Sequence, residues 1–389
     1  MSSQFRAAGS RVALSYVLDW VVIILIAIIA GTITFIEPNH RPFSLVDPDI
    51  SFPYVEHQKV STSVLFVVSL VAPAIIIALV SLVFVPNPIA REPKSQAWKR
   101  KLWEWNVGWM GLALSCAITV LFTNALKLLV GRPRPDLLSR CDPNLSEISS
   151  HVLGGIRDQI SEGTLVSSTI CLQINHGILK DGFQSFPSGH ASLTFAGLFY
   201  FALYLCSKFA IKLPAPFPYF STHNHAPSSV SSMPIPRGAG EPANGEKTSR
   251  VMPSETNIRS FRDEAAAPPI FLLILPLIPI CVATYISSTR FSDFRHHGFD
   301  IIFGAIEGLI FSWGSFRIYH IPVTQGDGWA WGPRSASRAF GVSIGTSGYV
   351  ENRLPKKSDD IEAGQPNTDM ETHSSKLNIE HGTAVQSGV

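Results

Sequence analysis

Residues 62–85 read TSVLFVVSLVAPAIIIALVSLVFV, a run without one charged side chain. A helix crosses the hydrocarbon core of a bilayer in about 20 apolar residues, so this run is long enough to span one. Five more runs qualify, at about 14–36, 105–130, 188–211, 267–287 and 299–319. One such run could be the buried helix of a soluble protein, but six in one chain argue for a membrane. Composition agrees: 15% of the 389 residues are charged and 46% are apolar, where soluble domains carry about 25% charged residues. The expected fold is all-α, an integral membrane six-helix bundle.

Outside the spans the chain divides simply. Residues 1–13 form an N-terminal tail, and 14–320 contain all six spans. The first run is too long for a signal-peptide core and lacks a clean small-residue cleavage site, so it reads as a retained anchor. Segment 213–265 is rich in proline and serine, has no apolar period and is expected to be disordered, as is the tail 334–389. Lysine and arginine set the orientation. Loop 86–104 carries Arg91, Lys94, Lys99, Arg100 and Lys101, whereas loop 37–61 carries Arg41 and Lys59. The first is expected in the cytosol with both termini, leaving 37–61, 131–187 and 288–298 facing a lumen or the exterior. Loop 131–187 holds the sequon Asn144-Leu145-Ser146, a candidate glycosylation site. It also holds Cys141 and Cys171, either two free thiols or a disulfide in an oxidising compartment. The five cysteines lack CxxC spacing, which argues against a zinc site. A net charge of +2 without a basic, aromatic-laced surface argues against nucleic acid.

Three polar clusters sit at span ends. Residues 127–135 read KLLVGRPRP, 187–190 read PSGH, and 289–300 read TRFSDFRHHGFD. The third and fifth spans end on the face where the fourth and sixth begin, so the clusters meet on one side of the membrane. Lys127, Arg134 and Arg290 supply three cations, as a phosphate dianion requires. Ser188 and Gly189 stand at a helix N-terminus, where backbone N–H groups favour an anion. His296 and Asp300 are four apart and on a helix would share a face, so the carboxylate could hold one ring nitrogen while the other attacks phosphorus. His190 could protonate the leaving oxygen and then activate water. No metal or cofactor is needed by this scheme. Asp19 and Glu307 lie inside apolar runs and are expected to face other helices. Gly304 and Gly308 form a GxxxG pair, a weak sign of helix contact or of a dimer face.

The clusters resemble the three-part signature of the type 2 phosphatidic acid phosphatase family, K-x6-R-P, P-S-G-H and S-R-x5-H-x3-D. Ten of its eleven specified positions match, the exception being Thr289 in place of serine. The six spans and the contexts GRPRPDLLSRC and STRFSDFRHH are similar to fungal and plant lipid phosphate phosphatases. The resemblance implies His296 as a nucleophile forming phosphohistidine, Asp300 as its orienter and His190 as general acid and base. It assigns Lys127, Arg134, Ser188, Gly189 and Arg290 to the phosphate. It implies magnesium-independent hydrolysis of phosphatidate, lysophosphatidate, diacylglycerol pyrophosphate or sphingoid phosphates. Polyprenyl diphosphates, or an inactive scaffold or lipid transporter on the same bundle, are the alternatives. Membrane lipids are the expected partners, with organelle and homo-oligomerisation left open.

Overall fold

The computed structural model describes residues 2–85, 94–155, 164–211, 269–323, 330–334 and 339–340. Six helices in it are long and apolar enough to cross a membrane. The first runs Ser2–Thr32, beginning twelve residues ahead of the expected boundary. The second comprises Thr62–Phe66, a π-helical turn Val67–Val71, and Ala72–Phe84. The third, Lys94–Val130, has 37 residues and is roughly 55 Å long at 1.5 Å per residue. That exceeds a hydrocarbon core of about 30 Å, which is why it starts well before the apolar run at 105. The fourth is Gly189–Lys208, the fifth Ile270–Ser292 and the sixth Gly298–Tyr319. Segment 213–265 lies outside the described residues, as do Arg91 and nearly all of the tail. Arg334 does not begin a free tail, because Asp19 of the first span holds it at 2.6 Å and the Tyr16 hydroxyl accepts its backbone N–H.

The fourth span is the central helix. Burial reaches 67% of its apolar window, against 11% for the first span. Small residues let its neighbours close on it. Tyr200 and Tyr204 are fully buried and fill space opposite Gly111 and Gly108 of the third span. A Cβ on Gly111 would lie 2.1 Å from the Tyr200 hydroxyl. Pro73 has no N–H to offer the carbonyl four residues back, and the chain accommodates it with the π turn. The Ser69 carbonyl meets Gly197, where a Cβ would stand 1.9 Å away. The GxxxG pair serves the same helix. Cβ atoms on Gly304 and Gly308 would collide with the Ser188 and Ser192 carbonyls at 2.6 and 2.4 Å. That face is therefore packed against the fourth span rather than free for a second copy.

The two expected loops 37–61 and 131–187 are built together. Phe43, Ile50, Leu137, Val166, Ile170 and Phe183 form a small apolar core beside the disulfide-bonded pair Cys141 and Cys171. Val152–Gly155 pairs antiparallel with Thr164–Val166, and Phe43 adds a bridge to Val166. The backbone bond Phe52 N to Pro135 O ties the first segment to the second, and Asn39 N to Leu128 O ties it to the end of the third span. This cap lies over the end of the bundle where the three polar clusters meet.

Candidate active site

The third span ends where Gly131 takes a positive φ of 56°, with no room for a side chain against the Asn39 carbonyl. Lys127 thus stands in the last helical turn and Arg134 in the segment beyond it. The fifth span continues past its expected end at 287 to Ser292, so Arg290 projects from a helix rather than a loop. The fourth begins at Gly189 with Ser188 as N-cap. These ends surround a cavity of about 230 Å³ lined by Lys127, Arg134, Gly189, His190, Arg290 and His296, together with Gln58, Asp181 and Arg295. Gly189 leaves space for the Lys127 ammonium, whose Nζ would be 3.3 Å from a Cβ there.

The arrangement of His296 differs from the helical one expected. The sixth span starts at Gly298, so His296 precedes it and does not share a helical face with Asp300. His297 is the N-cap, and Asp300 closes a capping box with it. Asp300 is wholly buried and accepts from Arg132 Nη1 at 2.7 Å, Ser185 Oγ at 2.6 Å and the His297 backbone at 3.2 Å. The partner of His296 is instead the Ser185 carbonyl, 2.6 Å from Nδ1. A carbonyl only accepts, so Nδ1 carries the proton and Nε2 keeps its lone pair. Asp300 reaches His296 through Ser185, fixing its hydroxyl while its carbonyl holds the ring. Burial, then Arg134 and Lys127, push the His296 pKa well below the usual histidine value, and the ring is neutral at neutral pH.

Ser188, the N-cap next to Gly189, is not one of the residues that line the cavity. Its N–H bonds the Asp300 carbonyl at 3.1 Å, and its buried hydroxyl has no partner among the described residues. Gly189 does reach the cavity.

Each arginine is aimed by a carboxylate that the sequence did not single out. Asp293 accepts from Arg290 Nη2 at 3.0 Å and from the Lys59 backbone at 3.0 Å. Thr289 Oγ1 accepts from Arg290 Nε at 3.3 Å and Nη2 at 3.1 Å, a task that needs a hydroxyl and tolerates the extra methyl. Asp181 accepts from Arg134 at 2.7 Å, Arg140 at 2.9 Å and Arg295 at 3.1 Å. Burial opposes ionisation of Asp181, but these guanidiniums outweigh it and bring its pKa to about 2. Burial lowers Arg134 from the usual arginine value, Asp181 opposes this, and arginine stays charged regardless. The Nε atoms of Arg134 and Arg295 are buried without a hydrogen-bond partner among the described residues. Unmet charged donors of this kind call for an anionic ligand.

His190 Nε2 lies 3.3 Å from the Val60 carbonyl and 3.4 Å from Arg290 Nη1. In the cavity wall, Thr123 donates to Glu307 at 2.8 Å and meets Ser192 at 2.8 Å, so Glu307 bonds another helix. Asp181, Asp293, Ser185 and Gln58 are the site residues that sequence reasoning missed. The first three are acidic or hydroxyl residues common in any loop, with no spacing that marks them.

Six spans and this cavity define an integral membrane enzyme of the phosphatase class. The family model described as the PAP2 superfamily matches residues 108–322, and the chain belongs to that superfamily. It is 28% identical over 321 residues to a Schizosaccharomyces pombe protein named probable diacylglycerol pyrophosphate phosphatase 1, covering 82% of this chain and 87% of the relative. It is 24% identical over 305 residues to the diacylglycerol pyrophosphate phosphatase 1 of Saccharomyces cerevisiae, covering 78% and 80%. With lipid phosphate phosphatase 2 of Arabidopsis thaliana it shares 26% over 327 residues, covering 83% and 84%. No solved structure matches the chain.

Proposed function

We propose that the protein hydrolyses lipid phosphates, phosphatidate, lysophosphatidate and diacylglycerol pyrophosphate among them, through a phosphohistidine and without a metal. The observation that carries this reading is the meeting of two imidazoles and the cations Lys127, Arg134 and Arg290 around one cavity. His296 Nε2, its lone pair free because Nδ1–H is held by Ser185, attacks phosphorus. The bond from phosphorus to the leaving oxygen breaks, and that oxygen takes the bond's electron pair and a proton from His190. A phosphate dianion beside His190 favours the imidazolium that this step needs. In the second step His190 takes a proton from water, the water oxygen attacks phosphorus, and the phosphorus–nitrogen bond returns its electrons to His296. Lys127, Arg134, Arg290 and the Gly189 end of the fourth span stabilise the charge on the equatorial oxygens.

The active phosphatase domain is 14–320 in this reading, with 213–265 and the C-terminal tail in the cytosol and the cavity facing a lumen or the exterior. The basic loop 86–104, the disulfide and the partly exposed sequon Asn144 at the cavity's end of the bundle support that orientation. Purified protein in detergent micelles should release phosphate from phosphatidate equally with and without EDTA, and His296→Ala should lower the rate by at least about a thousandfold. Loss of wild-type activity with EDTA would remove the metal-free mechanism, and an active His296→Ala would remove the nucleophile.

A further inference from the structure

Gln58 lines the cavity but belongs to none of the three motifs, coming from the outer segment between the first and second spans. Its Oε1 accepts from Arg290 Nη1 at 2.8 Å. A guanidinium has donors only, so this contact fixes the amide: oxygen towards Arg290, NH2 away from it. The NH2 group meets no acceptor among the described residues, and two N–H donors are left to the cavity. The same Arg290 Nη1 lies 3.4 Å from His190 Nε2, and the Val60 carbonyl, two residues beyond Gln58, lies 3.3 Å from that ring. Gln58 and the acid that serves the leaving oxygen therefore flank one guanidinium. In an in-line displacement that is the side opposite His296.

We propose that Gln58 determines specificity at the leaving group and favours a phosphoanhydride over a phosphate monoester. The inference rests on the phosphatase reading above and assigns to one residue a preference among its substrates. In a monoester the leaving oxygen carries carbon, and it is already committed to the proton from His190. In a diphosphate lipid the leaving group is itself a phosphate. His296 attacks the terminal phosphorus, the anhydride bond breaks, and the bridging oxygen leaves with the electron pair and the proton as part of a monophosphate lipid. That leaving group presents additional anionic oxygens, which accept strongly from a neutral amide. The amide N–H does not titrate, so it adds no charge that a monoester would also feel.

The test uses full-length protein in mixed micelles and compares kcat/KM for diacylglycerol pyrophosphate and phosphatidate. Gln58→Met keeps the length of the side chain and removes its donors together with the acceptor held by Arg290 Nη1. The expected result is a fall of about tenfold in the ratio of diphosphate to monoester kcat/KM, the scale of one hydrogen bond to a charged group, beyond any loss common to both lipids from the freed Arg290. Retained turnover of the monoester also shows that the variant is folded, and Gln58→Asn should shift the ratio the same way if Gln58→Met does not fold. Equal losses on both substrates, or no loss on either, would overturn the proposal. His296→Ala assayed on both lipids separates the two levels, since activity there would sink the site itself rather than the role of Gln58.

Discussion

The Ser185 carbonyl is 2.6 Å from His296 Nδ1, and its hydroxyl is 2.6 Å from Asp300. Ser185→Ala removes the hydroxyl and with it the link between Asp300 and the carbonyl that holds the His296 ring. We expect kcat to fall about tenfold with KM little changed, the effect of losing one buried positioning bond. A direct bond from Asp300 to His296 would instead leave this variant silent in steady-state kinetics. The charge of His296 gives a second expectation. Its pKa in the fold lies well below 6.5 because of burial, Arg134 and Lys127. In the unfolded chain the ring takes up a proton as pH falls through about 6.5, and in the fold it does not. The native state therefore loses stability below that pH, and at pH 6 the imidazole 15N shifts of ligand-free protein should be those of the neutral Nδ1–H tautomer. Lys127, Arg134, His190, Arg290 and His296 were legible in the sequence because spacing at span ends places them on one face of the membrane. The partner of His296 was not, since four residues imply a shared helical face only inside a helix, and this helix starts two residues too late.

Among the elements, the sixth span depends on two missing side chains. Cβ atoms at Gly304 and Gly308 would stand 2.6 and 2.4 Å from carbonyl oxygens of the fourth span. Gly308→Val should push the two helices apart, costing about 1–3 kcal/mol, and appear as a lower melting temperature in detergent with loss of activity. If those glycines instead served a dimer, the variant would change molecular mass in solution and leave the melting temperature alone. A GxxxG pair in sequence cannot tell these cases apart, because it says only that a backbone comes close. The cap is the other dependent element. Removing its disulfide with Cys141→Ser should cost about 2–5 kcal/mol and speed protease cleavage within 131–187. Asp181 binds three arginines of that cap and of the site. With its pKa at about 2, below the unfolded 3.9 or so, its stabilising effect is complete above that unfolded value. It is lost as pH falls towards 2.

At the scale of the whole molecule, six spans bring ends that are far apart in sequence to one cavity, and the outer segments close over it. Apolar run length was enough to read the bundle. The cap was not readable, because its order comes from a small core, a disulfide, arginine–carboxylate contacts and backbone pairing across 123 residues of chain, as between Phe43 and Val166. His296 is the proposed acceptor of the phosphoryl group in that cavity. The direct measurement is rapid acid-free quenching of the enzyme turning over lipid labelled with 32P in the scissile phosphate, followed by mapping of the labelled peptide. The expected result is an acid-labile, base-stable label on His296 that forms and decays within turnover. A label on another residue, or turnover at full rate with no protein-bound phosphate, would contradict it.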